Sequence, residues 1–307
     1  SFFTDLGERQ AVKGAGFAIG EGDFFGIVGE SGSGKSVTTK SILRRGPTNC
    51  KIMGGEIVFR GEDILKKNEA ALREIRGGEI AMIFQDSLSA LNPVYTVGNK
   101  MVELIRRHTN MNKKEAKARV LELLTAVGIT DPEKAMNSYP HELSGGMRQR
   151  VMIAMAMSSD PKILIADEPT TALDVTIQAQ ILHLLLELQK KNNMSIILNT
   201  HDLGVVAQTC KRVAVMCGGY VVEEGTVEEI FLNPGHPYTQ ALIASMPCVG
   251  GTFEQFLERD LSDGNGDLCP FLNRCKYADK TCEACLPKYY ESSEGHRVFC
   301  HKREEKR

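Results

Sequence analysis

Eight consecutive residues, Gly29-Glu30-Ser31-Gly32-Ser33-Gly34-Lys35-Ser36, have the types and spacing of G-x-x-x-x-G-K-[ST]. Glycines at these intervals let a backbone fold with its N–H groups turned inward around an anion, and the start of a following helix adds partial positive charge. The lysine supplies a full charge for β- and γ-phosphates, and the hydroxyl after it can ligate Mg2+. Gly29, Ser31, Gly32, Gly34, Lys35 and Ser36 therefore read as a phosphate cradle. A second set of residues suits the same chemistry. Lys162-Ile163-Leu164-Ile165-Ala166 is an apolar run that ends in two carboxylates, Asp167 and Glu168. Transfer or hydrolysis of a γ-phosphoryl group needs a cradle, Mg2+, a positioned water and neutralisation of the charge spread over the phosphoryl oxygens. Ser36 and Asp167 are candidates to hold Mg2+, and Glu168 to orient and partly deprotonate the water. Gln85 and His201 can contact that water, the metal or the γ-phosphate. Taken singly, Gln85 would be a surface loop residue and His201 a satisfied histidine.

These residues must be delivered by elements that end together. Phe24 to Val28 reads as the strand before the phosphate loop, and Val37 to Leu43 as the helix that continues from it. Ile80 to Phe84 reads as a strand ending at Gln85, Lys162 to Ala166 as one ending at the acids, and Ser195 to Asn199 as one ending just before His201. Continuous apolar runs fit parallel strands covered on both faces, whose C-terminal ends line one edge of a sheet. Strand, loop and helix in repeated order argue for an α/β fold.

Between these strands the pattern turns helical. Val97 to His108 and Lys113 to Val127 form two helices, the second with Asn112 as N-cap, Glu115 completing a capping box, and Gly128 as its stop. Lys113, Lys114, Lys117 and Arg119 are then its solvated face. Leu143-Ser144-Gly145-Gly146 opens another helix running to about Ser158, and Ile177 to Asn192 reads as a long amphipathic helix with His183 off its apolar stripe. Residues 1 to 28 alternate short apolar segments with turns, which suits a small antiparallel region. Phe2 and Phe3 there offer either plain strand aromatics or a flat face for an adenine base. Gly218-Gly219 between Val213 to Cys217 and Tyr220 to Glu224 signals a tight hairpin.

The chain of 307 residues is long enough for one large or two ordinary domains, and its formal charge of -2 argues against nucleic acid as its main partner. No apolar run approaches the roughly 18 residues that cross a bilayer, and no signal segment is expected at the start. Of nine cysteines, Cys50, Cys210, Cys217 and Cys248 are scattered and read as small core residues, while five crowd together between 269 and 300. Disulfides there would demand an oxidising compartment, out of keeping with ATP-driven chemistry in the cytosol. Structural zinc would take four thiolates or three with a histidine, but its usual C-x2-C knuckle occurs only at Cys282 and Cys285. An iron-sulfur cluster tolerates wider spacing.

The loop Gly29 to Ser36, Gln85, Leu143-Ser144-Gly145-Gly146, Asp167-Glu168, Ala172-Leu173-Asp174 and His201 occur in the order and spacing of ATP-binding-cassette (ABC) ATPases, which the chain resembles over nearly its whole length. More narrowly, Gln85 to Pro93, Tyr139-Pro140-His141-Glu142-Leu143 and Gly235-His236-Pro237-Tyr238-Thr239 resemble the ATPase subunits of bacterial dipeptide and oligopeptide importers. In two places the chain departs from that pattern: the strand before Phe2 is short, and the segment between Met246 and Cys269 is not Pro-rich.

The resemblance implies a P-loop NTPase (RecA-like) core with a mixed, mainly parallel sheet, an antiparallel β subdomain, a helical insert over about 87–157 and a Cys-rich C-terminal extension. It places a nucleotide-binding domain over 1–232 and the extension over 233–307, with a site at about 269–301. ATP would lie between the loop of one subunit and Ser144, Gly145, Gly146 and Asp174 of another, with Phe3 as the stacking aromatic. A bare helix N-terminus such as that at Ser144 is useful when it faces an anion. The implied partners are a related ATPase subunit or a second copy, two transmembrane permease subunits, indirectly an extracytoplasmic substrate-binding protein, and no nucleic acid. The implied place is the cytoplasmic face of the membrane. Cys269, Cys275, Cys282 and Cys300 match positions that are similar to a 4Fe-4S site in some members, zinc being the alternative and Cys285 the spare. The implied function is ATP hydrolysis that powers peptide import. Import of nickel or another small solute, and a soluble ABC ATPase outside transport, are the other readings. A P-loop kinase would need an acceptor pocket that nothing between Asp86 and Leu143 resembles.

Overall fold

Short apolar runs bounded by glycine make strands, and longer periodic stretches make helices, in a computed structural model that describes residues 1–5, 7–85, 91–171, 173–246, 268–291 and 295–303. Residues 86–90, Ala172, and residues 247–267 with Cys248 lie outside the described residues. The chain forms two compact units, one of Ser1–Ile19, Asp23–Gly55 and Asn199–Arg307, the other of Gly20–Gly22 and Glu56–Leu198.

The first unit opens with an antiparallel hairpin, β1 (Phe2–Thr4) and β2 (Gly7–Arg9), as the alternation in this region predicts. The strand β3 (Phe24–Val28) follows, buried at every residue, and leads through the glycine-rich loop into helix α1 (Lys35–Ile42).

In the second unit come a small hairpin, β4 (Val58–Phe59) and β5 (Glu62–Asp63), and a short helix, Glu69–Ile75, capped by Asn68. The strand β6 (Ile80–Ile83) pairs in parallel with β7 (Ile163–Asp167), so both reach their C-terminal ends on the same side. Parallel strands need a crossover, and here it is helical. Helices Val97–His108, Lys113–Ala126, Pro132–Asn137 and Gly145–Ala156 pack on one another through buried Met101, Ile105, Val120, Leu124 and Ile153. The capping box expected at Asn112 forms: its side chain accepts from Lys114 and Glu115 N–H, and Glu115 accepts from Asn112 N–H. Helix Val175–Asn192 starts two residues before the periodicity predicts, because Asp174 caps it and its first turn is exposed and carries no apolar stripe. β8 (Ser195–Thr200) then carries the chain back to the first unit.

There β9 (Arg212–Cys217) pairs in parallel with β3 and in antiparallel with β10 (Tyr220–Thr226), across a two-residue turn in which Gly218 and Gly219 have φ of 51° and 87°. Positive φ at both turn residues is what a twisted hairpin demands. Further along the same unit come β11 (Tyr289–Glu291) and β12 (Arg297–Phe299), the latter antiparallel to β10, so this part of the sheet is mixed. Tyr238, Phe271 and Phe299 bury their rings in the same core as Val28, Val213, Val215 and Val222. At about 25 cal/mol per Å2 of apolar surface, burial of these three rings helps attach the residues after β10 to this core.

Glu223 anchors this attachment. It is fully buried, accepts from Gly235 and His236 N–H at 2.6 and 2.9 Å, and pairs with His296 Nε2 at 2.6 Å. His236 in turn caps helix Pro237–Ala244, its Nδ1 accepting from Tyr238 N–H at 3.0 Å. Burial depresses the pKa of His236 to about 4, against a smaller opposing pull from the Glu223 carboxylate. The folded chain thus keeps His236 neutral while the unfolded chain protonates it near its ordinary value of 6.5, so this stability is present above pH 6.5 and is lost as pH falls toward 4. His236→Asn keeps a capping acceptor without the titration. Thermal denaturation from pH 7 to about pH 4 is expected to cost the unaltered chain more of its midpoint than this variant.

Candidate functional site

In the first unit the phosphate loop hangs between a buried strand and a helix that starts at its lysine. A Cβ on Gly29 would sit 2.2 Å from the Met216 carbonyl oxygen, and one on Gly34, at φ 105°, would sit 2.7 Å from the Ala11 carbonyl oxygen. Neither backbone neighbour can yield cheaply, so these two glycines are what lets the loop turn here. Ser33 N–H donates to the Glu30 carbonyl at 3.2 Å, and Gly219 N–H to the Ser33 carbonyl at 3.0 Å, which closes the loop over the β9–β10 turn. Lys35 is buried, and its Nζ donates to the carbonyls of Gly29 at 2.7 Å and Glu30 at 2.9 Å. Ser31 and Gly32 are exposed at the tip, with Ser36 half-buried at the helix start. Deeper in α1, Thr39 accepts from Asn199 Nδ2 at 2.8 Å, tying the helix to the end of β8.

His201 lies one residue past β8 and is exposed. It is fixed between Thr200, whose hydroxyl accepts from Asp202 N–H at 3.0 Å, and Asp202, which caps helix Leu203–Thr209 by accepting from Gly204 and Val205 N–H. Phe3 lies in β1, about one-third exposed, with the Lys51 ammonium 5.3 Å from its ring centroid.

The second unit brings Gln85 and Glu168 together. Gln85 Nε2 donates to Glu168 Oε2 at 3.0 Å, and the Thr171 hydroxyl donates to the same oxygen at 2.9 Å. Asp167 ends β7 fully buried. Glu168 has φ 48°, a left-handed conformation that costs a non-glycine residue about 1–2 kcal/mol and tends to persist where function requires it. Its strained backbone and two donors hold one carboxylate oxygen in place. Thr171 carries no motif position of its own, and only its spacing of three residues from the acid could have pointed to it.

Ser144 caps helix Gly145–Ala156, its Oγ accepting from Met147 N–H at 3.3 Å, and is exposed. A Cβ on Gly146 would meet Ile177 at 3.0 Å and one on Gly145 would meet Leu173 at 3.6 Å, so the absence of side chains seats this helix start against the beginning of Val175–Asn192. Asp174 caps that second helix by accepting from Ile177 N–H at 2.9 Å.

Mg2+ takes oxygen donors, and the buried Asp167 carboxylate and the Gln85 amide carbonyl are donors of that kind within the second unit.

The cysteine-rich segment requires a correction. Cys269, Cys275, Cys282 and Cys300 border one small apolar cavity, where burial pushes Cys269 up to about 12 and raises Cys275, Cys282 and Cys300 as well. Among the described residues no group of three or more His, Cys, Asp or Glu is arranged to hold a metal ion, so neither the 4Fe-4S cluster nor zinc finds its ligand set. Cys285 is exposed, and of the scattered cysteines Cys217 is buried while Cys50 and Cys210 are only half-buried.

Residues 12–171 match the ABC transporter family, and residues 222–282 match the oligopeptide/dipeptide transporter C-terminal region. The oligopeptide transport ATP-binding protein OppD of Bacillus subtilis is 50% identical over 97% of this chain and 85% of its own. The dipeptide transport ATP-binding protein DppD of Escherichia coli is 46% identical over 95% of this chain and 90% of its own. Among solved structures, a dimeric post-hydrolysis state of the ATP-binding cassette MJ0796 bound to ADP and Pi superposes with a TM-score of 0.63 at 30% identity, over 71% of this chain and 90% of that one. A cradle closed by two obligatory glycines, a buried acid beside a strained and doubly hydrogen-bonded glutamate, and these likenesses over nearly all of the sequence agree: the chain belongs to the ABC transporter family of ATPases.

Proposed function

We propose that this chain is the ATP-hydrolysing subunit that powers uptake of peptides of the dipeptide and oligopeptide class through a membrane permease. The observation that carries this reading is the match of residues 222–282 to the peptide-transporter C-terminal region, alongside relatives named for peptide transport at 45–50% identity. In it, Lys35 and the N–H groups of residues 29–36 bind the β- and γ-phosphates. Ser36, Asp167 and Gln85 hold Mg2+, which when bound neutralises charge on the phosphate oxygens. Glu168 accepts a proton from the attacking water, and Gln85 and Thr171 keep its carboxylate aimed. His201 donates to the γ-phosphate as its negative charge grows. Phe3 stacks on the adenine. Ser144, Gly145, Gly146 and Asp174 serve the nucleotide of a partner cassette, so ATP closes a dimer, with a related subunit favoured over a second copy. Hydrolysis opens it.

In this reading the chain is a peripheral subunit on the cytoplasmic side, with permease and an external binding protein supplying passage and selection. Among the described residues no helix is long and apolar enough to cross a membrane. The test is reconstitution in liposomes with the permease and binding protein of the same source. Peptide-loaded binding protein is expected to stimulate ATP hydrolysis at least several-fold. Failure to assemble with the permease would refute a transport role, and stimulation by nickel in place of peptide would move the substrate class.

A further inference from the structure

The extension does more than pack beside the nucleotide-binding core, because two of its side chains close on one residue of the phosphate loop and a third backs them. Tyr238, fully buried, accepts a hydrogen bond through its hydroxyl from Glu30 N–H at 2.9 Å. Arg274 grips the Glu30 carboxylate with both ends of its guanidinium, Nη1 to Oε1 at 3.0 Å and Nη2 to Oε2 at 2.9 Å. The guanidinium is in turn held over aromatic faces, 5.1 Å from the Phe271 ring centroid and 5.8 Å from that of Tyr238, and those two rings meet edge to face. Glu30 is the pivot of the loop: its carbonyl accepts from Lys35 Nζ and from Ser33 N–H. Whatever fixes Glu30 therefore fixes the carbonyl that Lys35 leaves or keeps when an anion arrives.

Charge adds a second effect. A carboxylate within a loop that must receive a polyphosphate repels it, and a bidentate guanidinium cancels that charge without itself competing for the anion. The Arg274 side chain is only 16% exposed, so this pair is less screened by solvent than an ordinary surface ion pair, although Glu30 at 44% is open on its other side.

We propose that Arg274 is a positioning residue for ATP binding, acting through Glu30, so that the C-terminal extension sets the nucleotide affinity of the phosphate loop. This rests on the reading that residues 29–36 hold the phosphates. Calorimetric titration of the full chain with MgATP, and KM and kcat of its ATPase, test it. Arg274→Ala is expected to raise both Kd and KM by about tenfold with kcat nearly unchanged, and Arg274→Lys, a point charge in place of a fork, by about threefold. Glu30→Gln removes the repelling charge, so adding it to Arg274→Ala is expected to restore affinity to within about twofold of Glu30→Gln alone. A merely structural role for Arg274 would lower the melting temperature without that rescue.

Should Arg274→Ala fail to fold, the comparison of Arg274→Lys with and without Glu30→Gln decides in its place. Unchanged Kd and KM in the folded arginine variant, or a double variant as weak as the single one, would overturn the proposal. Lys35→Ala serves as the reference. If it still binds ATP, the loop reading itself is wrong; if it loses ATP while the Arg274 variants bind normally, only the clamp is wrong.

Discussion

Glu168→Gln is expected to leave MgATP binding within about threefold of the original and to lower kcat by roughly 10²–10⁴, the usual worth of a positioned general base. The geometry supports a loss in kcat alone. Glu168 Oε2 already accepts from Gln85 Nε2 and from the Thr171 hydroxyl, so its place is set by neighbours that an amide of the same shape can still engage through its oxygen. What the amide cannot do is take a proton. An interaction made only as the water is deprotonated contributes nothing to ground-state binding, and its removal appears in kcat. A companion variant separates chemistry from strain. Glu168 holds φ 48°, so Glu168→Gly trades the left-handed cost of about 1–2 kcal/mol against glycine's entropy of about 0.5–1 kcal/mol and should melt near the original temperature while being equally inactive. Single-turnover hydrolysis and a thermal melt on the two variants check this. Turnover within about tenfold of the original in Glu168→Gln would remove Glu168 as the base.

Much of this site was legible because its signals are local. The strand before Gly29, the helix after Lys35, the acids at the end of β7, the Asn112–Glu115 capping box and the Gly218-Gly219 turn each rest on residues within a few positions of one another. Local backbone chemistry decides such features, and sequence carries it directly. The partners of Glu30 lie at the other extreme. Tyr238 and Arg274 are 208 and 244 residues away, and nothing in the loop's own spacing announces that its second residue is clasped from the far end of the chain. The bond from Thr171 to Glu168 is near in sequence yet not legible in it, since it depends on the left-handed turn at Glu168, which no side-chain pattern encodes.

The cysteines teach a different lesson. Their spacing brings four thiols to the border of one cavity, but a ligand set needs side chains aimed at one point, which local packing decides and spacing does not. The same holds for Phe3, whose ring was legible as an aromatic in a strand while the ammonium over it, from Lys51, was not.

The largest effect on affinity is expected at Lys35. Its ammonium is buried with only 4% of the residue exposed, and it is kept there by the Gly29 and Glu30 carbonyls at 2.7 and 2.9 Å. Burying an ammonium costs hydration, which these carbonyls return in part. An arriving triphosphate brings anionic oxygen to a charge already held in a partly dry place, where attraction is strong. In Lys35→Ala, ATP affinity should fall by about 100-fold or more. The melting temperature of the nucleotide-free chain should stay level, because alanine's helix preference and removal of a cation from the positive end of the α1 dipole offset the loss of the ammonium's hydrogen bonds. Lys35→Arg keeps the charge but brings a longer, planar guanidinium into a buried place shaped to an ammonium, and it should bind ATP nearly as poorly as the alanine variant. Titration calorimetry with MgATP and melting with and without nucleotide measure both effects. A large drop in the melting temperature of nucleotide-free Lys35→Ala would show that the ammonium holds the loop together, and the present account of a cation stored for phosphate would fail.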